Sequence, residues 1–267
     1  MKRSGFLQSL AAAGALLIAS ASGAAQAAQC GNGPGGFESW KQSMAAEARA
    51  QGHSGAAVAA LMDTHYNGPT IGADRGQHSF HLSLEGFMAK RGANAIVAGG
   101  RSRKHSMAGL FSQIESQYGV PPGPLLAIWG METGFGAVHG NQHALSAIAT
   151  LAYDCRRTEF FQDQLNSFLT LIDRGAVAPG ARGSMHGEIG QTQFLPKNIL
   201  QYGAGGNLDA AGPALAATAN FLRAHGWRAG AGYQPGEANF AAIQAWNAAE
   251  VYERSIAIIG QRIDHGD

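Results

Sequence analysis

Glu132 sits in the stretch "AIWGMETGFG", residues 127–136, as a single carboxylate inside an apolar run that ends in glycines. With a helix opening at Pro124, where proline's fixed φ suits a first turn, Leu125, Ile128, Trp129 and Glu132 fall on one i, i+3, i+4, i+7 stripe. The carboxylate then points where the leucine and the tryptophan point, toward the interior or the lip of a cleft. Two roles fit that position. One is a structural carboxylate satisfied by an arginine or a backbone amide. The other is a general acid, because apolar surroundings disfavour ionisation and keep a proton available near neutral pH. "TGFG" ends the helix beside a loop, a setting for a residue facing a substrate groove. Glycoside cleavage is a reaction that such an acid serves.

A second chemical stretch is "RGSMHGEIGQTQFLP", residues 182–196. Gly187 and Gly190 permit close backbone approach, while Gln191, Thr192 and Gln193 offer neutral donors and acceptors suited to sugar hydroxyls and acetamido groups. The plainer reading is a turn leading into a helix near Pro196. Glu188 is a candidate second carboxylate to pair with Glu132, although sequence spacing does not measure their separation. In "AWNAAEVYERS", Asn247 followed three residues later by Glu250 has the pattern of a helix N-cap with a reciprocal partner. His139 and His143 stand four apart, but there is no HExxH, Gly140 argues for a loop, and no zinc site is expected. Trp129 and Phe135 either stack on sugar rings or pack in the core.

Helices must position these residues. Apolar residues recur at three- and four-residue steps, as at Phe161, Leu165, Phe168 and Ile172, and no alternating strand runs compete. The expected helices cover residues 37–50, 54–65, 80–90, 105–118, 124–133, 145–153, 159–174, 213–225 and 251–263, with Gly119, Gly175 and Gly226 at stops and residues 227–240 as a loop. The fold class is therefore all-α. Of 267 residues, 45% are hydrophobic and 14% charged, which supplies an ample core. Lys+Arg 19 against Asp+Glu 18 gives a net charge of +1, which argues against a nucleic-acid partner.

Residues 1–27 read as a secretory signal peptide: Lys2 and Arg3, a short apolar stretch from Leu7 to Ile18, then Ala25-Gln26-Ala27 as a cleavage site. The run is too short and too rich in Ala, Gly and Ser for stable membrane insertion. Gln29 argues against a lipoprotein reading of Cys30. Export to an oxidising compartment makes Cys30 and Cys155 a disulfide.

The segments "LLAIWGMETGFG", "SAIATLAYDCRRTEFF", "GEIGQTQFLP", "ANFLRAHGW" and "NFAAIQAWNAAEVY" follow one another as they do in lytic murein transglycosylases. From Cys30 to Ile263 the chain resembles the lytic transglycosylase B family. That resemblance implies a lysozyme-like helical catalytic core with an extra helical lobe, over residues 28–267, in the periplasm. It implies cleavage of the MurNAc–GlcNAc β-1,4 bond of peptidoglycan glycan strands with 1,6-anhydromuramic ends. Glu132 matches the lone glutamate that acts first as acid and then as base on the muramoyl 6-hydroxyl. Ser184 and Gln193 match cleft residues, and Asn247 matches the asparagine of a Tyr-Asn pair in which Trp246 replaces the tyrosine. Gln191 and Trp246 complete the expected substrate-binding set. Some members carry an acidic calcium loop, but "YGAGGNLDAAG" has Asp209 as its only carboxylate, so neither metal nor cofactor is expected. Larger members insert a β-rich lobe before the last helices; about 20 residues separate Trp227 from Trp246, so it is minimal or absent. The competing reading is a non-catalytic peptidoglycan-binding or scaffold module.

Overall fold

The computed structural model describes residues 29–76, 81–203 and 205–266. The expected signal peptide lies outside the described residues, as does Phe80, the expected start of one helix. After a 3-10 turn at Pro34–Gly36, seven α-helices lead up to the first of two short strands: α1 (Phe37–Ala50), α2 (Gly55–Met62), α3 (Gly68–Arg75), α4 (Leu84–Arg91), α5 (Ala93–Ser106), α6 (Ala108–Tyr118) and α7 (Pro122–Thr133). Then come β1 (Gln142–His143), α8 (Ala144–Tyr153), α9 (Thr158–Asp173), β2 (Arg182–Gly183), α10 (Pro196–Tyr202), α11 (Ala211–Ala224), α12 (Phe240–Trp246) and α13 (Glu250–His265). The strands pair antiparallel, Gln142 opposite Gly183, and are the only sheet among the described residues. None of the described helices is long and apolar enough to cross a membrane.

Helix α7 lies between α5 and α13, and α8 packs on α9 to form the other half of one continuous core. The stripe Phe161, Leu165, Phe168 and Ile172 of α9 is buried, as its period requires, and so is Tyr252, Ile256, Ile259 and Ile263 on α13. Cys30 and Cys155 are joined, their Cα atoms 5.0 Å apart across 125 residues of sequence. That bond and the Gly31 N–H to Tyr153 carbonyl hydrogen bond, 3.0 Å, tie the start of the described chain to the α8–α9 junction.

Three helices depart from the sequence expectation. Helices α3, α5 and α12 have no counterpart in the expected set, and α10 follows the plainer reading of the segment at Pro196. Residues 93–106 hide their helix behind the Gly99-Gly100 pair and a run of cations. The helix forms because that glycine pair is a contact surface: a Cβ on Gly100 would lie 2.5 Å from Ile263 Cδ1. The expected helix over 105–118 is broken at Met107, which separates α5 from α6. Helix α7 begins at Pro122, two residues before the expected Pro124, and eleven of its twelve residues are buried. The single-stripe argument therefore does not describe it, since every face is covered.

The ends of α7 are held by named groups. At its start the Gly123 N–H donates to Asp264 Oδ1 of α13, 2.9 Å, satisfying an orphan donor with an anion where the helix dipole favours one. Tyr233 O–H donates to the other Asp264 oxygen, 2.8 Å. At its end Gly134 adopts φ 58, the left-handed stop that "TGFG" announces. Helices α7 and α13 approach so closely that a Cβ on Gly123 would lie 2.3 Å from both the Gly260 carbonyl and Asp264 Oδ2. Gly123→Ala is therefore expected to cost about 2 kcal/mol or more, an overpacking penalty with backbone on one side. Gly109→Ala on α6, where a Cβ meets nothing within 4 Å, is expected to leave stability unchanged or raise it by about 0.5–1 kcal/mol. Urea unfolding of both variants checks the contrast.

Candidate active site

Glu132 is the only residue of α7 that is not buried. Its carboxyl nevertheless stands against the aromatic side chains of the last two helices. Tyr252 O–H donates to Glu132 Oε1 at 2.5 Å and Trp246 Nε1–H donates to the same oxygen at 3.2 Å. Loss of solvent is the largest of the influences that together raise the pKa of the acid from 4.5 to about 7. The Tyr252 hydrogen bond opposes this, the charge of Glu188 adds to it, and Trp246 and the guanidinium of Arg91 pull downward. Tyr252 is itself buried and held well above its ordinary value by desolvation and by Glu132, so it remains a neutral donor. Arg91 lies over the Phe87 and Tyr252 rings, 5.2 and 5.7 Å from their centroids, and donates to the Met131 carbonyl at 3.4 Å.

The opposite wall comes from β2 and the loop after it. Ile189 and Phe194 exchange two backbone hydrogen bonds of 2.9 Å, closing Gly190 to Gln193 into a tight turn. Gly190 at φ 82 and Gln193 at φ 55 are both left-handed, and a side chain on Gly190 would collide with the Leu208 carbonyl. Gln193 holds its costly conformation through its own side chain, whose Nε2 donates to the Gly190 carbonyl at 2.8 Å and to the His139 carbonyl at 3.4 Å. Oε1 of Gln193 has no partner among the described residues. Thr192 is fully buried and accepts from Thr218 of α11 at 3.1 Å, which anchors the turn.

Other expected site residues are already engaged inside the protein. Gln191 accepts the Trp129 indole N–H at 2.7 Å and donates to the Asp209 carbonyl at 2.9 Å. Its backbone carbonyl accepts Thr133 O–H at 2.7 Å. Gln191 thus ties the loop to α7. Ser184 donates to Glu188 Oε2 at 2.6 Å and accepts from the amides of His186 and Glu188 at 3.0 and 3.2 Å. Glu188 is near enough for its charge to act on both Glu132 and Arg157. Arg156 and Arg157 close on the buried Asp74, which fixes the start of α9 beside the same loop.

Three sequence readings are corrected or resolved. The capping box of Asn247 and Glu250 does not form: α13 starts at Glu250 after Ala249, with no side-chain cap. Asn247 is extended and its Oδ1 accepts the Ala249 N–H at 3.0 Å, closing the turn from α12, while Glu250 pairs outward with Arg254 at 3.0 Å. Asn247 Nδ2 has no partner among the described residues. Trp129, 5% exposed and edge-on to Phe135 with centroids 5.4 Å apart, is core and unavailable to a sugar. His143 caps α8 by accepting from Ser146 N at 3.2 Å, and His139 donates to the Gly136 carbonyl at 2.7 Å. No group of three His, Cys, Asp or Glu residues among the described ones is arranged to hold a metal.

Tyr252 and Arg91 went unread in the sequence. A tyrosine on the inward stripe of α13 looks like core, and only the rule that a buried phenol needs a partner marks it.

The sequence pattern of the family described as Transglycosylase SLT domain matches residues 36–236. Membrane-bound lytic murein transglycosylase B of Escherichia coli K12 is 36% identical over 118 residues, 41% of this chain and 33% of that protein, so the match spans a third of that relative's length. SltB3 from Pseudomonas aeruginosa, solved in complex with NAG-NAM-pentapeptide, superposes with a TM-score of 0.79 at 25% identity, over 86% of this chain and 80% of that one. Its complex with NAG-anhNAM-pentapeptide gives 0.78. The Escherichia coli lytic transglycosylase Slt35 shares the fold, with a TM-score of 0.67 at 21% identity over 90% of this chain and 96% of that one. The all-α, lysozyme-like class expected from the sequence is thereby established.

The raised acid carries a stability cost. Between 4.5 and about 7 the folded chain holds a proton on Glu132 that the unfolded chain has released, so stability falls as pH rises through that window. Glu132→Gln keeps an oxygen for both donors and removes the titration. It is expected to exceed the wild type in stability by about 2–3 kcal/mol above pH 7 and to match it at pH 4, as read from urea unfolding at the two pH values.

Proposed function

The chain belongs to the transglycosylase SLT domain family, and from that premise we propose that it is a peptidoglycan lytic transglycosylase that cuts the MurNAc–GlcNAc β-1,4 bond and leaves 1,6-anhydromuramic ends. The observation that carries this reading is a single half-buried carboxyl held on one oxygen by two neutral donors, whose loss of solvent pushes its pKa up to about 7. Below a pH of about 7 Glu132 is mainly protonated. It gives that proton to the bridging oxygen as the C1–O4 bond breaks, and GlcNAc leaves with a free 4-hydroxyl. The resulting carboxylate takes the proton of the muramoyl 6-hydroxyl while O6 bonds to C1, which restores the neutral acid. The nucleophile comes from the substrate, so no second carboxylate is required. Glu188, bound by Ser184, acts on the acid through its charge.

In this proposal Gln193 Oε1 and Asn247 Nδ2 receive sugar hydroxyls and acetamido groups, because the structure leaves both atoms unpaired among the described residues. Gln191 and Ser184 shape the cleft from behind, through Trp129 and Glu188. The occurrence of SltB3 with NAG-anhNAM-pentapeptide supports the anhydro product. Export to the periplasm agrees with a disulfide that persists only in an oxidising compartment.

Mass spectrometry of digested sacculi tests the product: anhydromuramic ends are expected, and reducing ends gained through water would assign the chain to hydrolysis of the goose-type lysozyme kind. In the same assay Glu132→Gln is expected to lose on the order of 10²–10⁴-fold in rate; undiminished effect in that variant would leave only a binding module. Activity is expected to fall as pH rises through about 7, as the acid ionises.

A further inference from the structure

The two donors to Glu132 reach the same oxygen but differ in kind. The Tyr252 hydroxyl can rotate and can accept as well as donate, whereas an indole N–H only donates. The Trp246 ring is also wedged in place. It meets Phe194 edge-on at 5.1 Å and 88° and Phe221 edge-on at 5.2 Å and 84°, and Phe221 is backed by the His225 ring at 4.0 Å. The indole cannot turn its N–H from the carboxyl without dislodging both phenylalanines.

A neutral carboxylic acid has two tautomers, with the proton on either oxygen. If Tyr252 were the only neighbour, both would be accommodated, because its hydroxyl could turn to accept an O–H from Oε1. With Trp246 present, Oε1 receives an N–H in either tautomer, and a carbonyl oxygen accepts it better than the oxygen of a carboxylic O–H does, which favours the proton on Oε2. We propose that Trp246 is a positioning residue that keeps Oε1 of Glu132 the acceptor oxygen and biases the transferable proton toward Oε2. This rests on the acid role of Glu132 given above and goes beyond it. It also changes what the replacement of tyrosine by tryptophan means at this position: the ring's one polar atom is spent on the acid, so Trp246 offers no hydrogen bond to the glycan.

The test replaces Trp246 in the full chain by 3-benzothienylalanine, an isostere whose sulfur stands where the N–H was, and compares kcat and KM against pH on a soluble peptidoglycan glycan. Removing a donor that favours the carboxylate is expected to move the alkaline limb of kcat upward by about half to one pH unit. The same change is expected to lower kcat at pH 6 about two- to fivefold while KM stays within twofold. Trp246→Phe, which keeps an aromatic wedge without a donor, is expected to move the limb in the same direction. An unmoved limb in the isostere overturns the proposal, whether KM rises, as for a ring that only stacks on sugar, or stays the same. Glu132→Gln run beside them separates the two levels: activity surviving in that variant overturns the acid assignment itself, while its loss together with an unmoved limb overturns only the role of Trp246.

Discussion

The site depends on the imbalance between the solvent lost by one carboxyl and the hydrogen bonds it receives in return. Two donors are too few to restore what water gave Glu132, so its neutral form prevails up to about pH 7. A third donor or a closely paired arginine would make it an ordinary carboxylate. Arg91 is held off instead, stacked on the Phe87 and Tyr252 rings and bonded to a main-chain carbonyl, so that its charge trims the shift without cancelling it.

The architecture keeps that imbalance in place. Helix α7 is covered on all sides, and its one less buried position is the acid. Helix α13 grips α7 at both ends of their contact: Asp264 takes the Gly123 amide at the start of α7, and Tyr252 reaches Glu132 near its finish. The same pair of helices therefore fixes both the axis of α7 and the environment of its carboxyl. Helix α12 and the Gly190–Gln193 turn close the arrangement through the Phe194, Phe221 and Trp246 cluster. The side chains holding the acid come from segments far apart in sequence, which is why a local motif alone does not describe it.

Glu132 was legible because a carboxylate in an apolar run is conspicuous, and α9 and α13 were legible because their burial follows the helical period. The failures share one cause, tertiary contact overriding a local rule. Helix α5 was absent from the expected set, and its Gly99 and Gly100 admit Phe135 and Ile263. Asn247 looked like a cap, but Trp246 must lodge between Phe194 and Phe221, and α13 starts only after the turn that this requires. Trp246 was expected among the substrate-binding residues, in place of the family's tyrosine, and in three dimensions its N–H bonds to Glu132. Gln191 was picked out as a polar residue in the right loop and Ser184 through the resemblance, and nothing in the sequence tells whether such a side chain faces a ligand or its own protein.

The charge state of Glu132 can be observed directly in the resting wild-type protein by ¹³C NMR of its side-chain carboxyl, assigned by the signal's absence in the glutamine variant. The account predicts a titration midpoint near 7, well above every freely solvated glutamate of the same chain. A midpoint near 4.5 would contradict it, since the acid would then be ionised at neutral pH and have no proton to give.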